Sequence, residues 1–206
     1  MAAKIIPFSD YAKHPTPRRC YLDSSFVIHL LQFGLTTGTP AVRDAACDTF
    51  HARLISDGVQ LLASVFTYSE LLHIYCFKYP GGMYDEARAF LKKPATFPGE
   101  RAVKDFLRYH PVDCEAAWRK ISYRVQASEF VFQQRNIAIV YPVGLPPVVD
   151  KTRDIVIYAT ILKDAFVGIG SSDAVHLSIA TYLGADAVVS MDKGFQTVDG
   201  FTIYSA

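Results

Sequence analysis

Residues 171–195 read Ser171-Ser172-Asp173-Ala174-Val175-His176-Leu177-Ser178-Ile179-Ala180-Thr181-Tyr182-Leu183-Gly184-Ala185-Asp186-Ala187-Val188-Val189-Ser190-Met191-Asp192-Lys193-Gly194-Phe195. The opening Ser171-Ser172-Asp173 suits a helix start, where short polar side chains meet free N–H groups and a carboxylate suits the positive end of the dipole. Apolar residues carry that helix to Leu183, and Gly184 supplies its stop. Ala187 to Ser190 then reads as a short strand, apolar at successive positions rather than alternating, as expected of a strand covered on both faces. It runs into the polar turn Met191-Asp192-Lys193-Gly194. A helix feeding a doubly covered strand is half of a βαβ unit, so the stretch predicts a mostly parallel sheet with helices on both faces.

The same alternation appears upstream. Tyr21-Leu22 enters Asp23-Ser24-Ser25 as a strand end feeding a helix. Residues 41–56 have helical spacing stopped by Gly58, and 59–65 read as a buried strand followed by Thr67-Tyr68-Ser69-Glu70, which can start a helix over 71–77. Residues 137–141 read as a strand, 151–163 as a helix capped by Asp150, and 201–204 as a closing strand. Between them lies a helical middle, with helices expected over 83–93, 100–109 and 114–134, broken at Pro94, Pro98-Gly99 and Pro111. The organisation predicted is one α/β domain over 1–206, with a leader at 1–19, a core of about 20–79 and 136–206, and a helical arm of about 80–135.

A chain of 206 residues, 50% hydrophobic and 20% charged, can bury one core and carries no biased tract. Disordered, collagen-like and disulfide-scaffold classes are thereby excluded. Lys plus Arg number 21 against 20 Asp plus Glu, a net charge of +1, so bulk charge points to neither nucleic acid nor a membrane surface. Cys20, Cys47, Cys76 and Cys114 form no CxxC pair, which speaks for reduced thiols rather than a zinc knuckle. Pro7, Ser9 and Asp10 interrupt the apolar stretch near the start, and 137–149 is too short and Pro-rich to span a bilayer. A soluble cytoplasmic protein with no membrane partner is expected.

Ligands of parallel α/β sheets sit beyond the carboxyl ends of the strands. Four carboxylates fall there by pattern: Asp23 after the first core strand, Glu70 after the second, Asp173 at a helix start and Asp192 after the strand 187–190. Gathered in one cleft they would repel unless a divalent cation neutralised them, and an all-oxygen set suits Mg²⁺ or Mn²⁺ rather than zinc. Such ions polarise phosphodiesters, generate hydroxide from water and stabilise the leaving oxygen. Each acid also has a structural reading: Asp23 as a turn residue, Glu70 as the end of a Thr67-x-x-Glu70 capping box, Asp173 as a dipole partner and Asp192 as a turn residue before Gly194.

Tyr21-Leu22-Asp23-Ser24-Ser25, Ser69-Glu70-Leu71, Ser172 to Ala180 and Gly184 to Phe195 together resemble the PIN-domain nucleases, whose best-known small members are the VapC-type toxins of toxin–antitoxin pairs. The likeness covers roughly 20–79 and 136–206. It implies a three-layer α/β/α fold and Mg²⁺- or Mn²⁺-dependent endoribonuclease activity. On it, Asp23, Glu70, Asp173 and Asp192 take the metal-site positions, with Ser24 and Ser190 as polar neighbours that orient a carboxylate or water. RNA, single-stranded or looped, is the implied substrate, an antitoxin protein a candidate partner and a homodimer the expected assembly. Glu70 and Asp173 stand 103 positions apart, further than in compact members, so the helical middle is enlarged.

Rival readings remain open at this point. Glu70-x-x-His73 and Asp173-x-x-His176 place a carboxylate and an imidazole one turn apart as in di-iron bundles, but both acids follow breaks rather than lying within long helices. Each histidine reads better as helix packing or as an outer hydrogen-bond partner of the metal site. Arg101, Lys104 and Arg108 share helical spacing as a candidate RNA-binding stripe, against an ordinary solvated face. The competing functional class is a non-catalytic RNA- or protein-binding module on the same fold.

Overall fold

The computed structural model describes residues 4–32, 39–77, 129–140 and 159–206 apart from 161, 164 and 167. Among the described residues, six strands, β1 (Lys4–Pro7), β2 (Arg19–Leu22), β3 (Gln60–Ser64), β4 (Ile137–Val140), β5 (Ala187–Val189) and β6 (Thr202–Ser205), alternate with helices α1 (Ser24–Gln32), α2 (Thr39–Ser56), α3 (Val65–Phe77) and α4 (Ser171–Tyr182). Short 3₁₀ turns cover Phe8–Lys13 and Lys193–Thr197. The chain divides into two compact units, Met1–Tyr68 with Phe132–Ala206, and Ser69–Val131. Of the second unit, residues 69–77 and 129–131 are described, all of them helical.

The strands form one sheet in the order β1-β6-β5-β2-β3-β4, and every neighbouring pair is parallel. The expected α/β class with helices over both faces of the sheet therefore holds, and the sheet is wholly rather than mostly parallel. Its two-sided burial follows from the strand sequences. Tyr21, Val188 and Ile203 are register partners, and they line one face with Leu177 of α4, Ile169 and Phe195. Their neighbours point the other way: Tyr204 meets Phe50 of α2 at 5.6 Å between ring centroids, and Phe50 meets Phe26 of α1 at 6.4 Å. Consecutive apolar residues suit the inner strands β2, β3 and β5, which are buried at successive positions and so on both faces.

Turn chemistry sets the helix ends. Gly58 adopts φ 73°, ends α2 by donating to the Ile55 carbonyl, and lets Val59 N–H reach the Leu54 carbonyl as β3 begins. Gly184, at φ 63°, does the same after α4. Two expectations change here. Part of the leader is ordered structure: Lys4–Pro7 pairs in parallel with β6 and covers what would otherwise be an exposed edge. The helix expected to start near Thr67 begins at Val65. Ser64 is its cap, with Oγ accepting the Thr67 N–H at 3.2 Å while Ser64 N–H donates to Thr67 Oγ1 at 3.5 Å. The helices expected over 83–93 and 100–109, the start of the one over 114–134 and most of the one over 151–163 with its Asp150 cap lie outside the described residues.

Among the described residues, no helix is long and apolar enough to cross a membrane. Cys20 and Cys47 are buried free thiols. Burial pushes the thiol of each up to about 12, with Asp186 adding to it at Cys20 and Asp44 at Cys47. Both should therefore resist alkylation in the native protein. Iodoacetamide at pH 8 followed by peptide mapping should leave both unmodified in buffer and modify both in denaturant; labelling of either in buffer would contradict this packing.

Candidate metal centre

The sheet places its reactive edge by topology. From the central strand β2 the chain moves to β3 and β4 on one side, whereas β5 and β6 lie on the other, so the order reverses between β2 and β5. Connections leave that point in opposite directions and open a crevice at the strand ends. Asp23 follows β2 directly, and Ser190 and Asp192 follow β5.

Asp23 is 3% exposed. Its N–H continues the ladder to the Val189 carbonyl at 3.0 Å, and its carbonyl accepts the Val27 N–H that begins α1. A carboxylate buried this deeply costs several kcal/mol unless donors surround it. They do: Oδ2 accepts Ser25 Oγ–H at 2.5 Å, Ser190 Oγ–H at 2.9 Å and Ser25 N–H at 3.2 Å. Ser25 Oγ also accepts the Met191 N–H, and Ser190 Oγ the Asp192 N–H, tying the start of α1 to the turn after β5. Asp23 Oδ1 is left facing His176 Nε2 at 3.3 Å.

Asp173 stands in the first turn of α4, half-buried. Burial pushes its carboxyl above the usual carboxylate range, the charges of Asp192 and Asp23 push it the same way, and the Gly170 N–H and His176 oppose them. Two carboxylates from separate stretches of sequence thus bear on Asp173. Asp192 is exposed and does fill the turn role open to it, accepting the Gly194 N–H on Oδ1 at 2.8 Å to cap the 3₁₀ turn. Gly194 lies against the Asp173 carboxylate, which would have to shift to admit a side chain there. A Cβ there would stand 2.5 Å from Asp173 Oδ2.

His176, one turn after Asp173, is 1% exposed. Its Nδ1 shares a hydrogen bond of 2.8 Å with the Tyr21 hydroxyl, which also meets Ser64 Oγ at 2.8 Å and Thr67 Oγ1 at 3.2 Å. Glu70 lies on α3, whose opening residues Val65 to Tyr68 belong to the first unit. Asp23 and His176, both in the first unit, belong to a group of ligand-type side chains that can hold a metal ion.

Of the four acids expected to converge, Asp23 falls in that group and its charge, with that of Asp192, bears on Asp173, while Glu70 lies on α3 in the second unit. His176, expected to pack or to serve as an outer hydrogen-bond partner, is buried and hydrogen-bonded to Tyr21, and its other ring nitrogen faces Asp23. The signal was present in Asp173-x-x-His176, one helical turn on a buried face. The donor beside Asp23 is Ser25 rather than Ser24, and Ser190 meets Asp23 directly. Arg101, Lys104 and Arg108 lie outside the described residues, as does the side chain of His73. Comparison of the sequence with protein-family models and with curated proteins returns no match.

Two stability predictions follow from the acids. The folded carboxyl of Asp173 sits above its ordinary 3.8, so the folded state holds its proton more tightly than the unfolded one. That contribution favours folding most below 3.8 and is lost as pH rises through the folded value. Asp173→Asn should therefore raise the neutral-pH melting temperature of metal-free protein, by roughly 2–4 °C per kcal/mol relieved. The gain should vanish near pH 3, and a loss at pH 7 would oppose this electrostatic account. Separately, Gly194→Ala should cost about 1–3 kcal/mol through overpacking. Denaturant melts of the double-mutant cycle should show most of that cost gone in an Asp173→Ala background, and full additivity would refute the steric assignment.

Proposed function

We propose that the chain is a divalent-metal-dependent endoribonuclease of the PIN-domain type, hydrolysing phosphodiester bonds of single-stranded or looped RNA. The observation that carries this reading is the buried Asp23 at the strand ends where the sheet order reverses, with Asp173 placed so that the charges of Asp192 and Asp23 add to burial in raising its carboxyl. Like charges held together are a cost to the empty fold and an asset to a cation site. Mg²⁺ or Mn²⁺ bound there would polarise the phosphodiester and ease ionisation of water.

The side chains divide the work. Asp23 forms the rigid inner wall, since Ser25 and Ser190 hold one oxygen and leave the other toward His176. Asp173 and Asp192 are the more accessible acids, each steered by a glycine N–H, from Gly170 and Gly194 respectively. Water serves as nucleophile, and the buried thiols Cys20 and Cys47 stay protonated. The choice of RNA among phosphodiesters rests on the likeness of residues 172–180 and 184–195 to the nucleases named above.

Purified, chelator-treated protein should cleave a single-stranded RNA only when Mg²⁺ or Mn²⁺ is restored. Asp23→Asn and Asp173→Asn should each lower the rate by roughly 100-fold or more, the usual cost of losing a group that stabilises transition-state charge. Undiminished cleavage by both variants, or cleavage in excess chelator, would remove the assignment.

A further inference from the structure

We infer that the centre is a mixed nitrogen–oxygen site, in which Nε2 of His176 is a direct ligand beside Asp23 and the Tyr21 hydroxyl is the group that aims it. Such a site selects a first-row transition dication over Mg²⁺. The inference rests on the metal-site reading above but not on RNA being the substrate.

The separation of Asp23 Oδ1 and His176 Nε2, 3.3 Å, is that of two donors sharing one ion. Ligand atoms about 2.1 Å from a cation and roughly at right angles to each other are about 3 Å apart. The other ring nitrogen is occupied as a ligating imidazole requires, with Nδ1 at 2.8 Å from Tyr21 Oη. The ring is wedged between the Phe66 ring, 5.0 Å away by centroid, and the Tyr21 ring at 5.8 Å, so it cannot turn without disturbing the core.

Proton accounting around Tyr21 supports the same role. Thr67 Oγ1 donates to the Leu22 carbonyl, and Ser64 Oγ accepts the Thr67 N–H. The Tyr21 hydroxyl can therefore donate to Ser64 while accepting the His176 Nδ1–H, which turns the Nε2 lone pair toward Asp23. It can equally donate to Nδ1, which puts a proton on Nε2 facing the carboxylate. Interconversion takes a proton off one ring nitrogen and returns one to the other through solvent, with the hydroxyl protons turning to match; no heavy atom moves, so the empty and loaded centres need no different packing. Removing the hydroxyl leaves Nδ1 without its partner on this side.

Nitrogen as a ligand decides among ions. Mg²⁺ prefers oxygen and keeps its waters, whereas imidazole favours first-row transition ions. The asymmetry is absent from an all-carboxylate site.

Pulsed electron paramagnetic resonance of the full chain loaded with Mn²⁺ tests this without any variant. Modulation from a coordinated imidazole nitrogen is the expected result, and its absence, or failure of Mn²⁺ to bind, would overturn the proposal. In His176→Gln the modulation should disappear, and calorimetric titration with Mn²⁺ and with Mg²⁺ should show a larger loss of Mn²⁺ affinity than of Mg²⁺ affinity. Tyr21→Phe should retain the modulation while weakening Mn²⁺ about 10- to 100-fold, as loss of an outer partner does. Equal losses for the two ions in His176→Gln would count against the nitrogen ligand. Nitrogen coordination without RNA cleavage would leave this inference standing and remove the nuclease reading; metal-dependent cleavage without nitrogen modulation would do the reverse.

Discussion

The molecule is organised around one buried carboxylate. Asp23 stands where β2 ends and α1 begins, and it is so nearly sealed from water that its charge must be met by the protein itself. Ser25 and Ser190 meet it from α1 and from the turn after β5, so a single side chain fixes the helix start, the register of the crossover and the direction of the turn that carries Asp192. Its second oxygen is left for His176. Removing the charge would relieve a cost, yet it would also release the start of α1 and the turn after β5, which use it as their common partner.

Topology supplies the company that Asp23 keeps. In an all-parallel sheet every strand ends at the same edge, so residues that follow strands gather without any local preference for one another. The reversal of strand order beside β2 keeps crossovers from covering that edge. Close approach then needs small residues: Gly194 leaves the space that the Asp173 carboxylate fills, and the Gly170 N–H faces the same group. The result is a fold in which α4 contributes an acid and, one turn on, an imidazole sunk into the interface with β2.

Much of this was legible before any coordinates. The strand cores Tyr21-Leu22, Leu61 to Ser64 and Ala187 to Val189 announce themselves by unbroken apolarity, and Gly58 and Gly184 mark helix ends because only a residue without Cβ takes their positive φ cheaply. The site acids were visible as polar residues at the ends of those strands. Harder to see was β1, a four-residue strand followed immediately by a 3₁₀ turn, whose pairing partner lies almost two hundred residues away. Ser64 was equally hidden as a helix cap, since the strand pattern of Val59 to Val65 runs straight through it. Local pattern cannot register a contact whose partner is remote.

The sequence alone determined the alternation of helices and strands, their parallel pairing and the positions of the acids along the chain, because these depend on periodicity, turn chemistry and connection length. Only the tertiary structure decided which donors surround Asp23, that Gly194 lies against the Asp173 carboxylate, and that His176 faces Asp23 with Tyr21 behind it. Those facts depend on distances of about 3 Å between residues up to 167 positions apart, and such distances exist only once the sheet has closed and its two faces are packed.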